Sequence, residues 1–207
     1  MEEMDLETVR RAYSRWARVY DLAFGPGMVK ARKRGISMLQ LGREAKVLEV
    51  GVGTGLSLPF FPSDCHVYGV DISRDMLARA HERAAHPRRG LIEGDVAHLP
   101  FDDGTFDGIL APYVVSAVPD PVAMLREVRR VAKAGARIVL LNHFASEHPL
   151  LAAIERAINP ATTRMLGFHA DFDVQPLLDE VGLAVSESEK VPPFGYWRAL
   201  RVDGAEV

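Results

Sequence analysis

Cysteine is almost missing from this chain: Cys65 stands alone among 207 residues. A single cysteine cannot close an internal disulfide and has no companions at zinc-site spacing, which excludes a disulfide scaffold and fits a reducing compartment. Long apolar runs are missing as well. No stretch reaches the ~18 residues of a membrane-spanning helix, and the acidic opening MEEMDLE lacks the basic and apolar regions of a secretory leader. The chain is therefore expected to stay where it is made. The seven histidines show no paired ligand spacing, so no metal site is expected. Internal repeats and low-complexity tracts are also lacking. What is present, 48% hydrophobic and 26% charged residues, suffices for one sizeable core.

The net charge of -3 conceals a division. Between Thr8 and Gln40 stand Arg10, Arg11, Arg15, Arg18, Lys30, Arg32, Lys33 and Arg34 against Asp21 alone, so this segment carries +7 and the remainder -10. A basic end on an acidic body suits a localised anionic partner, nucleic acid or an anionic membrane.

From Lys46 onward, short β-type runs (KVLEVG, HVYGVD, RGLIEGD, FDGILAP, ARIVLLNH) alternate with amphipathic helical stretches such as SRDMLARAHERAA and DPVAMLREVRRVAKAG. This alternation predicts βαβ units and a parallel sheet with helices on both faces. Asp120 caps the second of those helices, Pro121 suits its first position and Gly135 lies just past its basic end. AVSESEK and YWRALRVDG read as a final hairpin through VPPFG. Two pieces fall outside the rhythm. Residues 1–40 form an N-terminal basic, helical unit; residues 41–207 form the main domain, with an insertion at 144–172.

In VLEVGVGTGLSLPFF, a strand enters a turn with Gly51, Gly53 and Gly55 at alternate positions. A glycine turn that opens a helix exposes backbone N–H groups and permits close approach of a ligand. The spacing departs from the dinucleotide G-x-G-x-x-G, and no Gly-Lys-Ser/Thr follows as in a P-loop. The acids around it sharpen the reading. Glu49 lies within the first strand, Asp71 ends the second, where an acid accepts from ribose hydroxyls, and Asp95 ends the third, placed for an adenine amine.

LEVGVGTG, YGVDIS and IEGDVAHLPF, in this order across residues 46 to 142, resemble the successive motifs of class I S-adenosylmethionine-dependent methyltransferases. The resemblance implies a Rossmann-like seven-stranded sheet, mostly parallel, with its last strand antiparallel. It implies Glu49, Gly51, Gly53 and Gly55 around the methionine end of the cofactor and Asp71 on the ribose. Ile72 and Met76 would then lie against the adenine, Asp95 and Val96 at its edge, and Ala111 in the APYVVS segment beside the sulfonium.

At helical spacing, Leu6, Val9, Tyr13, Trp16, Tyr20 and Phe24 share one stripe opposite Arg11, Arg15 and Arg18. With Trp16 on one side and arginines on the other, such a helix suits an interfacial anchor on anionic lipid, its positive patch extended by Lys30, Arg32, Lys33 and Arg34. Alternatively the stripe is a lid that sets Tyr20 against the cofactor. Nucleic acid is disfavoured because the body is acidic.

YSRWARVYDLAFG, EVGVGTGLSLPFFP and NPATTRMLGFHADF together resemble the bacterial phosphatidylethanolamine N-methyltransferases of the soluble, membrane-associating type. The resemblance implies stepwise methylation of an ethanolamine amine to phosphatidylcholine by a cytoplasmic protein bound peripherally to the inner membrane face. The alternatives are a methyltransferase for a lipophilic quinone precursor and a non-catalytic membrane-binding module. For deprotonation of the ammonium, His143 is the first candidate, assisted by Tyr113, with His169 and Asp171 as second choices. Aromatic faces for a methylammonium are offered by Tyr20, Tyr113, Phe172, Tyr196 and Trp197. The lipid phosphate calls for a cation, Arg164 or Lys30.

Overall fold

The computed structural model describes Asp21, residues 25–145, isolated helical positions at 150, 153, 156, 157 and 159, and residues 172–192 and 197–204. Helix α1 (Val29–Met38) follows a short 3-10 turn at Pro26–Met28. Then come β1 (Lys46–Val50), β2 (His66–Asp71), α2 (Arg74–Arg83), β3 (Arg89–Glu93) and β4 (Phe106–Pro112). The described chain ends with α3 (Pro121–Val131), β5 (Ala132–His143), α4 (Gln175–Val181), β6 (Leu183–Val191) and β7 (Trp197–Gly204).

The strands form one seven-stranded sheet in the order β3-β2-β1-β4-β5-β7-β6. Pairings among β1 to β5 are parallel, whereas β7 runs antiparallel to both β5 and β6. The expected Rossmann-like sheet with an antiparallel last strand is thus observed. Strands β1 to β3 step outward one way and β4 onward the other, which puts the reversal of strand order between β1 and β4. Ligands of open α/β sheets bind at the carboxyl ends of the strands beside such a reversal.

Period-two alternation sends successive side chains to opposite faces. Leu48, Val50, Ile109 and Ala111 join Met124, Leu125, Val128 and Leu178 in one core layer. Val47, Val67, Leu110, Val139 and Leu141 join Ala31, Ile36, Met38 and Leu77 in the other. Four of the five β1 residues are buried, so a central strand reads as an apolar run.

Local chemistry marks several boundaries. Ser73 accepts from the Met76 N–H at the start of α2, and Asp120 accepts from the Ala123 N–H at 2.8 Å ahead of α3. The far end of α3 departs from expectation. The helix stops at Val131, and Ala132 pairs with Phe106 at the start of β5. The N–H groups of Gly104 and Thr105 bond the Arg130 and Val131 carbonyls, drawing the chain into the sheet four residues early. Gly135, with φ +76, is therefore part of an irregularity in β5 and not a helix cap.

Helix α1, inside the expected N-terminal unit, is seated on the sheet. Gly35 makes this possible: an added Cβ would lie 3.2 Å from a Leu110 methyl. The positive patch shrinks accordingly. Arg32 is only 3% exposed, Arg34 pairs with Glu189 and Glu187 on β6, and Lys33 lies 5.0 Å from the Phe60 ring centroid. Lys30 is exposed.

Candidate active site

A cleft opens at the carboxyl end of the sheet beside the reversal of strand order. Gly51 and Gly53 line it at the end of β1, and Asp71, Ile72 and Met76 at the end of β2 and the start of α2. Asp95 and Val96 follow β3, and Pro112, Tyr113 and Val114 follow β4, with Ala117 to Pro119 completing the wall. Seven residues expected at the cofactor or the reacting group therefore meet in one cleft: Gly51, Gly53, Asp71, Ile72, Met76, Asp95 and Val96. Tyr113 joins them from the β4 side.

The glycines have different tasks. Gly51 and Gly53 have φ of +67 and +55, values that disfavour any side chain. A Cβ on Gly51 would also come 2.6 Å from Val114, closing the wall of the cleft. Gly55 differs from expectation. It lies outside the lining, and a Cβ there would meet Leu58 at 2.9 Å and Ala80 at 3.1 Å, so its bareness lets α2 pack closely.

Asp71 Oδ2 accepts from the Gly53 N–H at 2.8 Å, and its Oδ1 from the Ser73 N–H at 2.9 Å. The carboxylate thereby ties the glycine turn to the end of β2. Burial pushes its pKa up, opposed by the backbone N–H groups of Ser73, Gly53 and Ile72. Asp95 accepts from the Ala97 N–H at 2.9 Å and faces His98 Nδ1 at 3.2 Å.

Glu49 is 1% exposed and does not line the cleft itself. Burial drives its pKa up to about 7, against the Ser57 hydrogen bond and the charge of Arg32, with Asp71 adding to the rise. Its Oε2 has no hydrogen-bond partner among the described residues. A buried carboxyl oxygen left bare is costly, and it is suited to a ligand that brings a donor.

Tyr113 adopts φ +62, a strained value for a non-glycine residue at the site. Its N–H donates to the Leu141 carbonyl at 2.6 Å. The Arg32 guanidinium lies 5.0 Å from the ring centroid, and Trp197 meets the ring edge-on at 5.0 Å. His143 packs edge-on against Trp197 at 6.0 Å and, unlike Tyr113, is not part of the cleft lining.

Further expectations need correction. Ala111 is wholly buried in the core, because alternation along β4 turns it inward and the wall begins at Pro112. Phe172 packs against the same core layer. Lys30 sits exposed on α1, away from the lining. Tyr20, Arg164, His169, Asp171, Tyr196, Arg11, Arg15, Trp16 and Arg18 lie outside the described residues.

Sequence reasoning missed Arg32 as a residue of the site. Its neighbours Lys30, Lys33 and Arg34 disguised it as part of a solvated charge run. The helical pattern carried the signal, because Arg32 falls on the same face as Met28, Gly35 and Leu39. Asp21, Thr54 and Arg83, which brace the glycine turn, had no motif to announce them.

An open sheet with a glycine turn at its reversal point and an acid closing β2 defines a class: α/β proteins that take an adenosine-bearing cofactor at the strand ends. Residues 48–140 match the family model described as a methyltransferase domain. A phosphatidylethanolamine N-methyltransferase of Cereibacter sphaeroides is 39% identical over 202 residues, covering 96% of this chain and 98% of the relative. A demethylmenaquinone methyltransferase of Roseiflexus sp. is 31% identical, covering 78% of this chain and 72% of the relative. Among solved structures, the [4+2]-cyclase SpnF shares the fold with a TM-score of 0.78 at 15% identity, 97% of each chain being covered. A Haemonchus contortus phosphoethanolamine N-methyltransferase, solved with phosphomonomethylethanolamine and S-adenosylhomocysteine, has a TM-score of 0.70 at 14% identity, with 93% of this chain and 58% of that one covered.

The chain belongs to the S-adenosylmethionine-dependent methyltransferases and is an enzyme that methylates with that cofactor. The cofactor supplies a methyl group on a positively charged sulfur, open to in-line attack by a lone pair. The cleft fits such a ligand. It offers a carboxylate at the end of β2 and apolar walls from Ile72, Met76 and Val96, and behind the glycine turn lies the bare carboxyl oxygen of Glu49.

Proposed function

We propose that this enzyme N-methylates phosphatidylethanolamine, stepwise to phosphatidylcholine, at an anionic membrane surface. The observation that carries the reading is the reach of the similarity. The 39% identity to the Cereibacter sphaeroides enzyme extends over 96% of the chain, well beyond the 48–140 stretch common to methyltransferase domains. That similarity spans the N-terminal segment and the insertion, where an acceptor would be chosen, and so supports the lipid reading.

In this reading Asp71 holds the donor's ribose, and Ile72, Met76 and Val96 hold its adenine, with Asp95 at the edge. Gly51 and Gly53 lie under its amino-acid end. Glu49 and Arg32 offer opposite charges there, matching an ammonium and a carboxylate. Tyr113 and Trp197 present aromatic surface to an acceptor ammonium, and attraction to those faces grows in value as water is excluded. His143 beyond Trp197, helped by Tyr113, takes the proton that the ammonium must lose before attack. Arg164 serves the lipid phosphate, with His169, Asp171 and Tyr196 at the acceptor side. Because α1 is part of the core, the docking element is the chain preceding Asp21. There Arg11, Arg15, Trp16 and Arg18 meet the membrane and Tyr20 approaches the donor.

Labelled S-adenosylmethionine incubated with phosphatidylethanolamine vesicles tests this, the label being followed into extracted lipid. Mono-, di- and trimethylated lipid is the expected product. Absence of labelled lipid from protein that binds S-adenosylhomocysteine would overturn the proposal.

A further inference from the structure

The glycine turn is braced from a second side, away from Asp71. Thr54, between Gly53 and Gly55, is 1% exposed. Its hydroxyl donates to Asp21 Oδ1 at 2.6 Å, and its carbonyl accepts from Arg83 Nη1 at 2.8 Å. Arg83 Nη2 donates to Asp21 Oδ2 at 2.8 Å, which closes a ring of three residues. Arg83 is the last residue of α2. Asp21 precedes α1, and its carbonyl accepts from the Gly25 N–H at 2.9 Å.

The physics of the ring points to a purpose. Gly51, Gly53 and Gly55 all hold positive φ, a conformation that the free turn would sample among many others. Ordering it therefore has an entropic cost that something outside the turn has to offset. Both Asp21 oxygens and both terminal nitrogens of Arg83 are engaged in the ring, Asp21 Oδ2 and Arg83 Nη2 as a partly buried ion pair and the other two on Thr54. Charge-assisted bonds of this kind are shorter and stronger than neutral ones, and losing one partner strands the other charge. Asp71 on one flank and the Asp21–Thr54–Arg83 ring on the other thus leave the turn one conformation.

We propose that Asp21 is a positioning residue for the methyl donor. Acting through Thr54 and Arg83, it holds the glycine turn in its donor-receiving form and ties the chain before α1 to donor affinity. The linkage is reciprocal: whatever stabilises Asp21 in the ring tightens donor binding, and a bound donor stabilises Asp21 there. The proposal concerns the donor side alone and does not depend on which acceptor the enzyme uses.

The test is calorimetric titration of the full chain with S-adenosylhomocysteine, alongside thermal unfolding. Asp21→Asn keeps the shape and removes the charge facing Arg83; Thr54→Val keeps the volume and removes the hydroxyl. Each is expected to weaken binding roughly tenfold, the loss of one hydrogen bond to a charged group. Thr54→Ser, which retains the hydroxyl, is expected to restore affinity to within about twofold of wild type. Because Asp21 and Thr54 act along one path, the double variant should bind no more weakly than Asp21→Asn alone. Should Thr54→Val not fold, Arg83→Lys paired with Asp21→Asn makes the same comparison. Wild-type affinity in folded Asp21→Asn, or losses that multiply in the double variant, would overturn the proposal whatever the melting temperatures.

Discussion

Buried near the end of β1, Glu49 holds its proton more tightly in the folded chain, where its pKa is about 7, than when unfolded, where the usual value of 4.5 applies. The folded state binds the extra proton between those two values, so this residue's contribution to stability falls as pH rises from about 4.5 to about 7 and stays low above. The cost at pH 8 is roughly 3 kcal/mol. Glu49→Gln should therefore raise the unfolding free energy of the donor-free protein by about that amount at pH 8 and by little at pH 4, as denaturant melts at the two values would record. The same variant should bind S-adenosylhomocysteine more weakly at pH 8, since an ammonium loses its carboxylate. Gly51 allows a contrast with Gly53. Gly51→Ala combines positive φ with a 2.6 Å clash against Val114 and should lower donor affinity at least tenfold, whereas Gly53→Ala meets nothing nearer than 4.0 Å. Titrations showing equal losses for the two would refute the assigned geometry. For Asp71→Asn, loss of the charged acceptor should cost about tenfold or more in affinity, measured in the same way.

Among the elements, α1 does the least expected work. It fills one face of the sheet above Leu110, Val139 and Leu141, and it carries Arg32 to Tyr113. Gly35→Leu would force a side chain into the 3.2 Å gap to Leu110 and should cost about 1–3 kcal/mol, seen as a lowered thermal midpoint. An unchanged midpoint would mean that the helix is not seated as described. The strands were legible because burial on both faces leaves apolar runs such as KVLEV, and Asp71 in the cleft was legible because it closes one of those runs. The end of α3 was not, because it is set by the pairing of Ala132 with Phe106, a contact between segments far apart in the chain. Arg32 was hidden for a different reason: charge counting ignores which face of a helix a cation occupies. Ala111 was misplaced by one position, since a shift of one residue along β4 moves a side chain from cleft to core.

For the whole molecule, the net charge of -3 divides into a basic N-terminal stretch and an acidic remainder. Among the described residues no helix is long and apolar enough to cross a membrane. In the proposed reading, contact with lipid rests on electrostatic attraction and a shallow apolar face, which salt weakens. Replacing Arg11, Arg15 and Arg18 by Glu should abolish sedimentation with anionic vesicles and leave S-adenosylhomocysteine affinity nearly intact. Unchanged sedimentation would leave those arginines with no docking role. The choice of acceptor is the central claim, because this chain is similar in sequence both to a phosphatidylethanolamine N-methyltransferase and to a demethylmenaquinone methyltransferase. It is tested most directly by offering phosphatidylethanolamine and demethylmenaquinone together in the same vesicles with labelled S-adenosylmethionine, and separating the products by mass. Label should enter the phospholipid as mono-, di- and trimethylated species; label confined to the quinone would contradict the account.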